Sequence, residues 1–414
     1  QGASIVKLMN AVPYDYMTTG NHDFNYGTPR LLELSKQMNF PILAANIMGS
    51  DGKPLFKPYD IRNVGGVRVA IFGLATPETV YKADPKNTKG LTFADPLATA
   101  QNVVKELAGQ YDVLVCISHI GMDRSSDPTS DMIAAAVPQI DVIIDGHSHS
   151  TLETIFSENK TKTLIASTGS YDTALGVVDI VVGTDRKVVS KTARSVTVAN
   201  TPDLASDPKV KALIDQLNAA QGPMLAEKVA ATAVALEGKR EIVRTSESNL
   251  GKLIANSMLY ATGADAAYIG GGGVRDSIPA GDITKKHVFT VLPFGNYIQT
   301  AVLKGSEFKA IVEHGVGKLP AADGRFPQFA GLTYTLDASQ PAGSRVSNIM
   351  IGGAPVVDAK DYVFAAPNFD FNGGDDFKML MGKKLTDYPS DAEVFMNYLQ
   401  HLGTVTADNI EYKK

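Results

Sequence analysis

Short apolar segments alternate with helical ones through the first half of the chain, and this alternation constrains the fold most. Segments typical of buried strands lie at 67–74, 113–118, 142–145 and 164–167, with a last strand of this half predicted at 176–182. Helical spacing of apolar residues is found at 97–107 and 131–136. Because strands that alternate with helices build layered α/β domains, we expect such a domain here.

The length of 414 residues predicts two domains, since one hydrophobic core seldom grows that large. The composition changes near the middle of the chain, where 207–227 is amphipathic. Its apolar residues recur at helical spacing, at Val210, Leu213, Ile214 and Leu217. We therefore predict a first domain over 1–200, a linker helix over 201–228 and a second domain over 229–414.

Bulk composition excludes several classes of protein. The formal net charge is −5, which argues against a surface that binds nucleic acid. No apolar run is long enough to predict a membrane span. The single cysteine, Cys116, rules out an intramolecular disulfide. We therefore expect a globular protein with no nucleic-acid partner and no membrane span.

Three short motifs in the first half concentrate the histidines. They read GNHDF at 20–24, SHIG at 118–121 and GHSH at 146–149, and they hold four of the seven histidines. A single histidine at a strand end is more often a hydrogen-bonded structural residue than a ligand, but this concentration favours a shared site. Ligand sites collect at the carboxyl ends of strands, and imidazole and carboxamide groups suit divalent first-row metals.

The second half has a constellation of its own. Its members are Arg240 and Arg244 in KREIVR, Arg275 after a run of glycines, Phe294 and Asn296 in LPFGN, and Phe369 and Asp375 in NFDFNGGDDF. Arginines four residues apart share one face if the segment is helical. Each member also has an ordinary explanation, as a solvated charge, a tight glycine turn or a core aromatic residue.

In this order, the motifs resemble the 5′-nucleotidase and UDP-sugar hydrolase family, and the resemblance covers nearly the whole chain. It implies an α/β fold: an N-terminal four-layer α/β/β/α metallophosphoesterase sandwich, a linker helix and a C-terminal α+β substrate-binding domain. It also implies metal-dependent hydrolysis of nucleotide phosphate esters. The expected substrates are nucleoside 5′-monophosphates, with UDP-sugars and dinucleotide pyrophosphates as further candidates.

The resemblance assigns roles in the first domain. It implies two divalent metal ions, zinc, manganese or similar, one held by Asn21, His119 and His147 and the other by His149. It makes His22 the catalytic histidine, with Asn25 beside it where many relatives carry Asp. An amide orients an imidazole, but it stabilises an imidazolium less well than a carboxylate does.

The resemblance also implies which residues bind the substrate. The residues it implies are, in chain order, Arg240, Arg244, Arg275, Phe294, Asn296, Gly324, Phe369 and Asp375. The two phenylalanines would sandwich the base, because stacking suits any base. The arginines would hold the ribose and phosphate region, where planar guanidinium groups suit oxyanions. The remaining three would contact the base or the ribose.

Two departures from the family pattern leave alternatives open. The family's Asp-x-His and Gly-Asp motifs are absent, so we expect an N-terminally truncated chain with an incomplete dinuclear site. A nucleotide-binding fragment without catalysis is therefore one alternative. Asn25 favours a second, a 2′,3′-cyclic-nucleotide phosphodiesterase/3′-nucleotidase. Sulfate-thiol hydrolases share GNH-type motifs, but the paired phenylalanines and the GGGVR segment disfavour them.

The remaining expectations concern partners and location. The expected partner is a small-molecule nucleotide, and the expected oligomeric state is a monomer. Resemblance alone predicts a periplasmic or secreted protein. No signal peptide is visible, but the sequence opens abruptly at Gln1, so this observation does not bear on location.

Overall fold

The computed structural model describes residues 2–124, 126–156, 162–201 and 203–410. The chain divides into two compact units, Gln1–Leu217 and Asn218–Lys414. Both units mix helices with strands, which confirms the predicted α/β class. Within the described residues, every helix is too short or too polar to cross a bilayer.

The described part of the first unit consists of strands joined by short helices and loops. Its described strands are β1 (Ile47–Met48), β2 (Tyr59–Val64), β3 (Val67–Ala75), β4 (Thr92–Phe93), β5 (Val113–His119), β6 (Val142–Ile144), β7 (Thr151–Phe156), β8 (Thr163–Thr168), β9 (Ala174–Val182) and β10 (Val188–Thr197). Its described helices are α1 (Ala3–Ala11), α2 (Thr28–Ser35), α3 (Thr79–Lys82), α4 (Pro96–Glu106) and α5 (Ser130–Ala136).

Six strands of this unit form one sheet in the order β2-β3-β5-β6-β8-β7. The four central strands run parallel, and the two edge strands are antiparallel to their neighbours. The central four are the strands predicted at 67–74, 113–118, 142–145 and 164–167, with ends shifted by at most one residue. Their carboxyl ends share one edge of the sheet, which brings the loops after β3, β5 and β6 together.

The prediction that 176–182 is the last strand of this half is wrong. Strand β9 is followed by β10, and the two pair antiparallel as a hairpin. The turn between them includes Arg186 at a φ of 63°. Strand β10 escaped notice because it is largely exposed and alternates apolar residues with charged and hydroxyl residues, which weakens the apolar signal.

The segment predicted as a linker contains helix α6 (Pro208–Leu225). The division between the two compact units falls inside this helix, between Leu217 and Asn218. Pro202, in the predicted linker, lies outside the described residues. The limits proposed for the two domains therefore stay a prediction.

The second unit is built around a five-stranded sheet in the order β15-β12-β19-β14-β20, with two three-stranded sheets, β13-β11-β21 and β16-β17-β18. Its described strands are β11 (Lys228–Thr232), β12 (Ala266–Gly270), β13 (Gly281–Thr284), β14 (Tyr297–Lys304), β15 (Pro327–Ala330), β16 (Leu332–Leu336), β17 (Val346–Ile351), β18 (Ala354–Pro355), β19 (Asp361–Pro367), β20 (Leu385–Ser390) and β21 (Thr404–Val405). Its described helices are α7 (Arg240–Val243), α8 (Asn249–Thr262), α9 (Lys285–Val291), α10 (Gly305–Val316), α11 (Asn368–Phe371) and α12 (Asp391–Leu402).

The five-stranded sheet is buried on both faces. Along β12, Ala267 and Ile269 belong to one apolar cluster, and Ala266 and Tyr268 belong to another. This alternation follows from the two-residue period of a strand. Residues of α8 and α12 pack in the first cluster, and residues of α10 pack in the second. The second unit therefore has a rigid, covered sheet whose strand ends carry the loops described below.

Candidate active site

His119 lies at the end of β5, enclosed by two of the three motifs. A Cβ atom on Gly20 would lie 2.8 Å from its Cε1 atom, and one on Gly146 would lie 3.0 Å from its Nδ1 atom. Both separations are shorter than ordinary contacts, so any side chain larger than hydrogen would displace the ring. The glycines of GNHDF and GHSH are therefore needed for the loops to close around His119.

Three side chains from the three motifs converge at this point. The Oδ1 atom of Asn21 lies 3.2 Å from Nε2 of His119 and 3.2 Å from Nδ1 of His147. The two imidazole rings are 5.1 Å apart between centroids. His147 reaches its position from a left-handed backbone with a φ of 78°, which is costly for a residue other than glycine. The strain is consistent with a functional constraint on this turn.

The spacing of these three atoms suits a shared cation. Ligand atoms at about 2.1 Å from one ion lie about 3.0 to 3.4 Å from each other, depending on the coordination geometry. The two measured separations fall in that interval. The donor set, one carboxamide and two imidazoles, is one that divalent first-row metals accept.

Burial determines the charge of His119. Removal from water, and then the proximity of His147, His22 and His149, lower its pKa from 6.5 to about 3. His119 is therefore neutral at physiological pH and keeps a lone pair for a ligand bond. The same effect shows that the four motif histidines lie near one another.

His22 is presented to solvent on a 3₁₀ turn, Asn21–Phe24. Phe24, fully buried against Phe93, holds the turn in place, and the Asp23 carboxylate accepts the Gly20 N–H at 2.7 Å. Nδ1 of His22 lies 3.4 Å from Oδ1 of Asn25, a long contact. His22 and Asn25 are thus in contact, as predicted, and the hydrogen bond between them is weak.

His149 also has a left-handed backbone, with a φ of 58°, and its ring lies 5.9 Å from that of Tyr171. Among the residues that the structure describes, no three His, Cys, Asp or Glu side chains are grouped so that they could hold a metal ion. The three residues around His119 do not form such a group, because one of them is Asn21, which offers an amide. The role of His149 on a second metal stays a prediction.

Two carboxylates that the sequence reasoning missed support this cluster. Glu78, three residues beyond β3, lies 2.8 Å from Nε2 of His147. Although burial opposes it, contacts led by the hydrogen bond from His147 lower the pKa of Glu78 to about 2. Oδ1 of Asp145 accepts from Ser118 Oγ at 2.7 Å and from two backbone N–H groups of the SHIG loop. Asp145 is the last residue of the predicted strand 142–145, which was the available signal for it, whereas no local pattern marks Glu78.

In the second unit, the predicted arginines form a positively charged cluster. Arg240 is the first residue of the short helix α7 and Arg244 is its C-terminal cap, whose N–H donates to the Arg240 carbonyl at 3.3 Å. Burial, and then the charges of Arg240 and Arg275, lower the pKa of Arg244 from 12.5 to about 9. Asp375 and Asp323 raise it, so three arginines face two carboxylates around this position.

The glycine run lets this cluster form by close backbone approach. A Cβ atom on Gly271 would lie 1.9 Å from the Val243 carbonyl oxygen, and the N–H of Gly272 donates to the Gly324 carbonyl at 2.8 Å. Arg275 donates to the Gly272 carbonyl at 3.0 Å, and its guanidinium lies 5.3 Å from the Phe294 ring centroid. The run therefore joins the arginines, Phe294 and the Gly324 loop.

Phe369 and Asp375 lie on another glycine-containing turn. A Cβ atom on Gly374 would lie 2.5 Å from the Phe369 ring, and one on Gly324 would lie 3.0 Å from Oδ2 of Asp375. Asp375 has a left-handed backbone with a φ of 48°. Phe369 and Phe294 are both partly exposed, so neither ring is an ordinary core residue.

Asn296 is turned toward a buried acid that the sequence reasoning missed. Its carbonyl oxygen accepts from the Asp391 N–H at 3.0 Å, and its side chain bonds the Asp391 carboxyl. Burial raises the pKa of Asp391 from 3.8 to about 7. The structure thus links Asn296 to the start of α12. The three arginines and Asp375 instead lie near one another, and Gly324 lies beside Asp375.

Comparisons with known proteins agree with this division of the chain. A family model described as calcineurin-like phosphoesterase matches residues 3–151. A second, described as the 5′-nucleotidase C-terminal domain, matches residues 228–382. The first match includes all three histidine motifs, and the second includes the arginine cluster and both phenylalanines.

Individual relatives cover nearly the whole chain. A trifunctional nucleotide phosphoesterase, YfkN of Bacillus subtilis, is 32% identical over 99% of this chain, which spans only 31% of that protein. A 5′-nucleotidase of Vibrio cholerae is 30% identical, covering 95% of this chain and 78% of its own. The crystal structure of a 5′-nucleotidase precursor from Thermus thermophilus, 32% identical, matches with a TM-score of 0.87 over 98% of this chain and 84% of its own. The chain belongs to the 5′-nucleotidase family, with a calcineurin-like phosphoesterase domain followed by a 5′-nucleotidase C-terminal domain.

Proposed function

We propose that this chain hydrolyses the phosphate ester of nucleoside 5′-monophosphates and that UDP-sugars are further substrates. Hydrolysis of nucleotide phosphoesters follows from its family, and a calcineurin-like phosphoesterase fold implies divalent metal ions. The observation that carries the proposal is the convergence of Asn21, His119 and His147, each from a different motif, on one point.

These three residues would hold one metal ion, and His149 would contribute to a second. When bound, a divalent ion neutralises phosphate charge and makes a water molecule acidic enough to act as a nucleophile at neutral pH. Zinc and manganese both suit this donor set. His119 is prepared for such a role because it stays neutral.

His22 would act on the phosphate directly. Its imidazole is exposed, and it extends from the same turn that positions Asn21. From there it would donate a hydrogen bond to a phosphate oxygen, or a proton to the departing ribose oxygen. Asn25 would orient the ring through the contact at 3.4 Å.

The second unit would bind the rest of the nucleotide. The charge excess around Arg244 favours an anion, and planar guanidinium groups suit phosphate oxygens. The partly exposed rings of Phe294 and Phe369 suit stacking on a base, while Asn296, Gly324 and Asp375 would contact the base or ribose.

The test is phosphate release from AMP in the presence of added Mn²⁺. His22→Ala should lower the rate at least about 100-fold, the usual contribution of a positioned acid or base. His401→Ala is the matched control, because His401 is an exposed histidine outside the three motifs. Equal rates for the two variants would refute the role of His22. Binding of AMP without phosphate release would instead favour a nucleotide-binding fragment.

The amide at position 25 supports a second candidate, 2′,3′-cyclic-nucleotide phosphodiesterase/3′-nucleotidase activity. The residue that contacts His22 Nδ1 at 3.4 Å is thus an amide, where many relatives carry Asp. Assays with 2′,3′-cyclic AMP, 3′-AMP and UDP-glucose beside AMP would rank the substrates. Asn25→Asp should shift the pH dependence of turnover, because a carboxylate stabilises the imidazolium. We further propose a periplasmic or secreted location, which cell fractionation would test.

A further inference from the structure

Glu78 is buried beside the histidine cluster but belongs to none of the three motifs. Its Oε2 atom lies 2.8 Å from Nε2 of His147 and accepts from Ser126 Oγ at 3.0 Å. Its Oε1 atom accepts from the Tyr81 hydroxyl at 2.8 Å. Only 6% of Glu78 is exposed, so these partners replace most of its water. Both oxygens are thus fixed, and the carboxylate is held rigidly against the imidazole.

This contact determines which nitrogen of His147 carries the proton. An ionised carboxylate only accepts hydrogen bonds, so the Nε2 atom facing Glu78 must be the donor. In the neutral ring, Nδ1 then has a lone pair, and it faces Oδ1 of Asn21 at 3.2 Å. Two acceptor atoms at that separation repel unless a cation lies between them. The pair is therefore arranged for a ligand bond from Nδ1.

We propose that Glu78 is a positioning residue that fixes the Nε2–H tautomer of His147 and turns Nδ1 toward Asn21 and His119. The inference rests on the proposed function, since it assigns His147 a metal ligand's role. Carboxylates that accept from the distal nitrogen of a ligand histidine commonly orient the ring and raise ligand basicity. Without Glu78, the ring is free to rotate or to exchange its tautomer.

The alternative is that Glu78 only holds the loop after β3 together. Its contacts with Ser126 and Tyr81 would suffice for that role. Substitutions separate the two explanations. Glu78→Ala removes every contact, whereas Glu78→Gln keeps an oxygen that can still accept from His147. Tyr81→Phe removes the contact on the far oxygen and leaves the histidine contact intact.

The first measurement is the nitrogen NMR spectrum of metal-free protein with ¹⁵N-labelled histidine, at a pH well above the ordinary histidine pKa. We expect a single Nε2–H tautomer for His147 in the unmodified chain, in Glu78→Gln and in Tyr81→Phe. Glu78→Ala should give a mixture of tautomers. The proposal would be overturned if Glu78→Ala had the same single tautomer as the unmodified chain. It would also be overturned if the His147 ring of the unmodified chain were protonated on both nitrogens.

The second measurement is calorimetric titration of the same four proteins with Zn²⁺ alone. Loss of such an outer partner typically costs about 10- to 100-fold in metal affinity, so Glu78→Ala should bind more weakly by that factor. Glu78→Gln should recover much of the loss, and Tyr81→Phe should match the unmodified chain. Equal affinity in all four, or no Zn²⁺ binding by any, would overturn the metal-directed role. Because neither readout uses turnover, a chain that shows both effects but hydrolyses no nucleotide would refute the proposed function alone.

Discussion

Arg244→Met should make the ligand-free protein more stable while weakening its grip on anions. Arg244 is held in a cluster with Arg240 and Arg275, and burial and these charges lower its pKa from 12.5 to about 9. A lowered pKa for a cation means that its charged form is penalised in the folded state. At neutral pH the residue is still charged, so the folded protein carries that penalty in full.

The size of the effect follows from the shift. At about 1.36 kcal/mol for each unit of pKa, the change from 12.5 to about 9 corresponds to roughly 5 kcal/mol against folding. Methionine keeps an unbranched apolar stem but gives up the attraction to Asp375 and Asp323. Replacing a buried ion pair by apolar groups is often neutral or stabilising by about 1–4 kcal/mol. Since Arg244 is repelled by Arg240 and Arg275, we expect an increase of about 1–3 kcal/mol in the free energy of unfolding.

The assay is urea unfolding without ligand, beside thermal unfolding with and without AMP. Arg325→Met is the matched control, because Arg325 is paired with Asp323 at 2.9 Å and its attractions to Asp323 and Asp375 together outweigh its burial. This control should destabilise the protein, since it leaves a buried carboxylate uncompensated. AMP should raise the melting temperature of the unmodified chain more than that of Arg244→Met.

The outcome that refutes the reasoning is a loss of stability in Arg244→Met as large as that in Arg325→Met. Such a result would mean that the carboxylates around Arg244 compensate its charge fully. An unchanged response to AMP in Arg244→Met would separately refute its place in the anion site.

Two further predictions concern a buried acid and a crowded glycine. Asp391 has a pKa raised by burial from 3.8 to about 7, so its stabilising effect is complete below about pH 4 and is lost as pH rises through 7. Asp391→Asn should remove this loss. In urea unfolding, the free energy of unfolding of the variant should rise relative to that of the unmodified chain by up to about 4 kcal/mol between acidic and neutral pH. A difference that does not change with pH would contradict this prediction. Gly20→Ala should cost about 1–3 kcal/mol, because its Cβ would lie 2.8 Å from the His119 ring. Gly222→Ala, in α6 where the added Cβ would meet no atom of the described residues within 4 Å beyond its chain neighbours and the helix backbone, should cost less, although Pro223 follows it. Equal effects of the two substitutions would show that crowding at His119 is unimportant.

The parts of the fold that the sequence predicted are those whose signal is local. The four central strands of the first sheet read as apolar runs because parallel strands are buried on both faces. Helix α8 has equally local end signals, because Ser248 caps its start and Gly263 ends it. Strand β10 was missed because a solvent-facing strand carries polar residues that resemble a loop.

The candidate site also contains residues with a local sequence signal and residues without one. Motif residues such as Asn21 and His147 were predicted together, and they lie together. Glu78 was missed because its partner His147 is 69 residues away, and no local pattern connects the two. Asp391 was missed for a similar reason, since its burial depends on packing and not on spacing.

A single oxygen atom couples the two histidine loops of the first unit. Oδ1 of Asp145 accepts from Ser118 Oγ and from the N–H groups of Ile120 and Gly121, so the segment carrying His147 is tied to the one carrying His119. Displacement of either loop must stretch the same three bonds. Paired substitutions at these loops should therefore be non-additive, and evolution would have to alter both loops together to change the distance between the imidazoles.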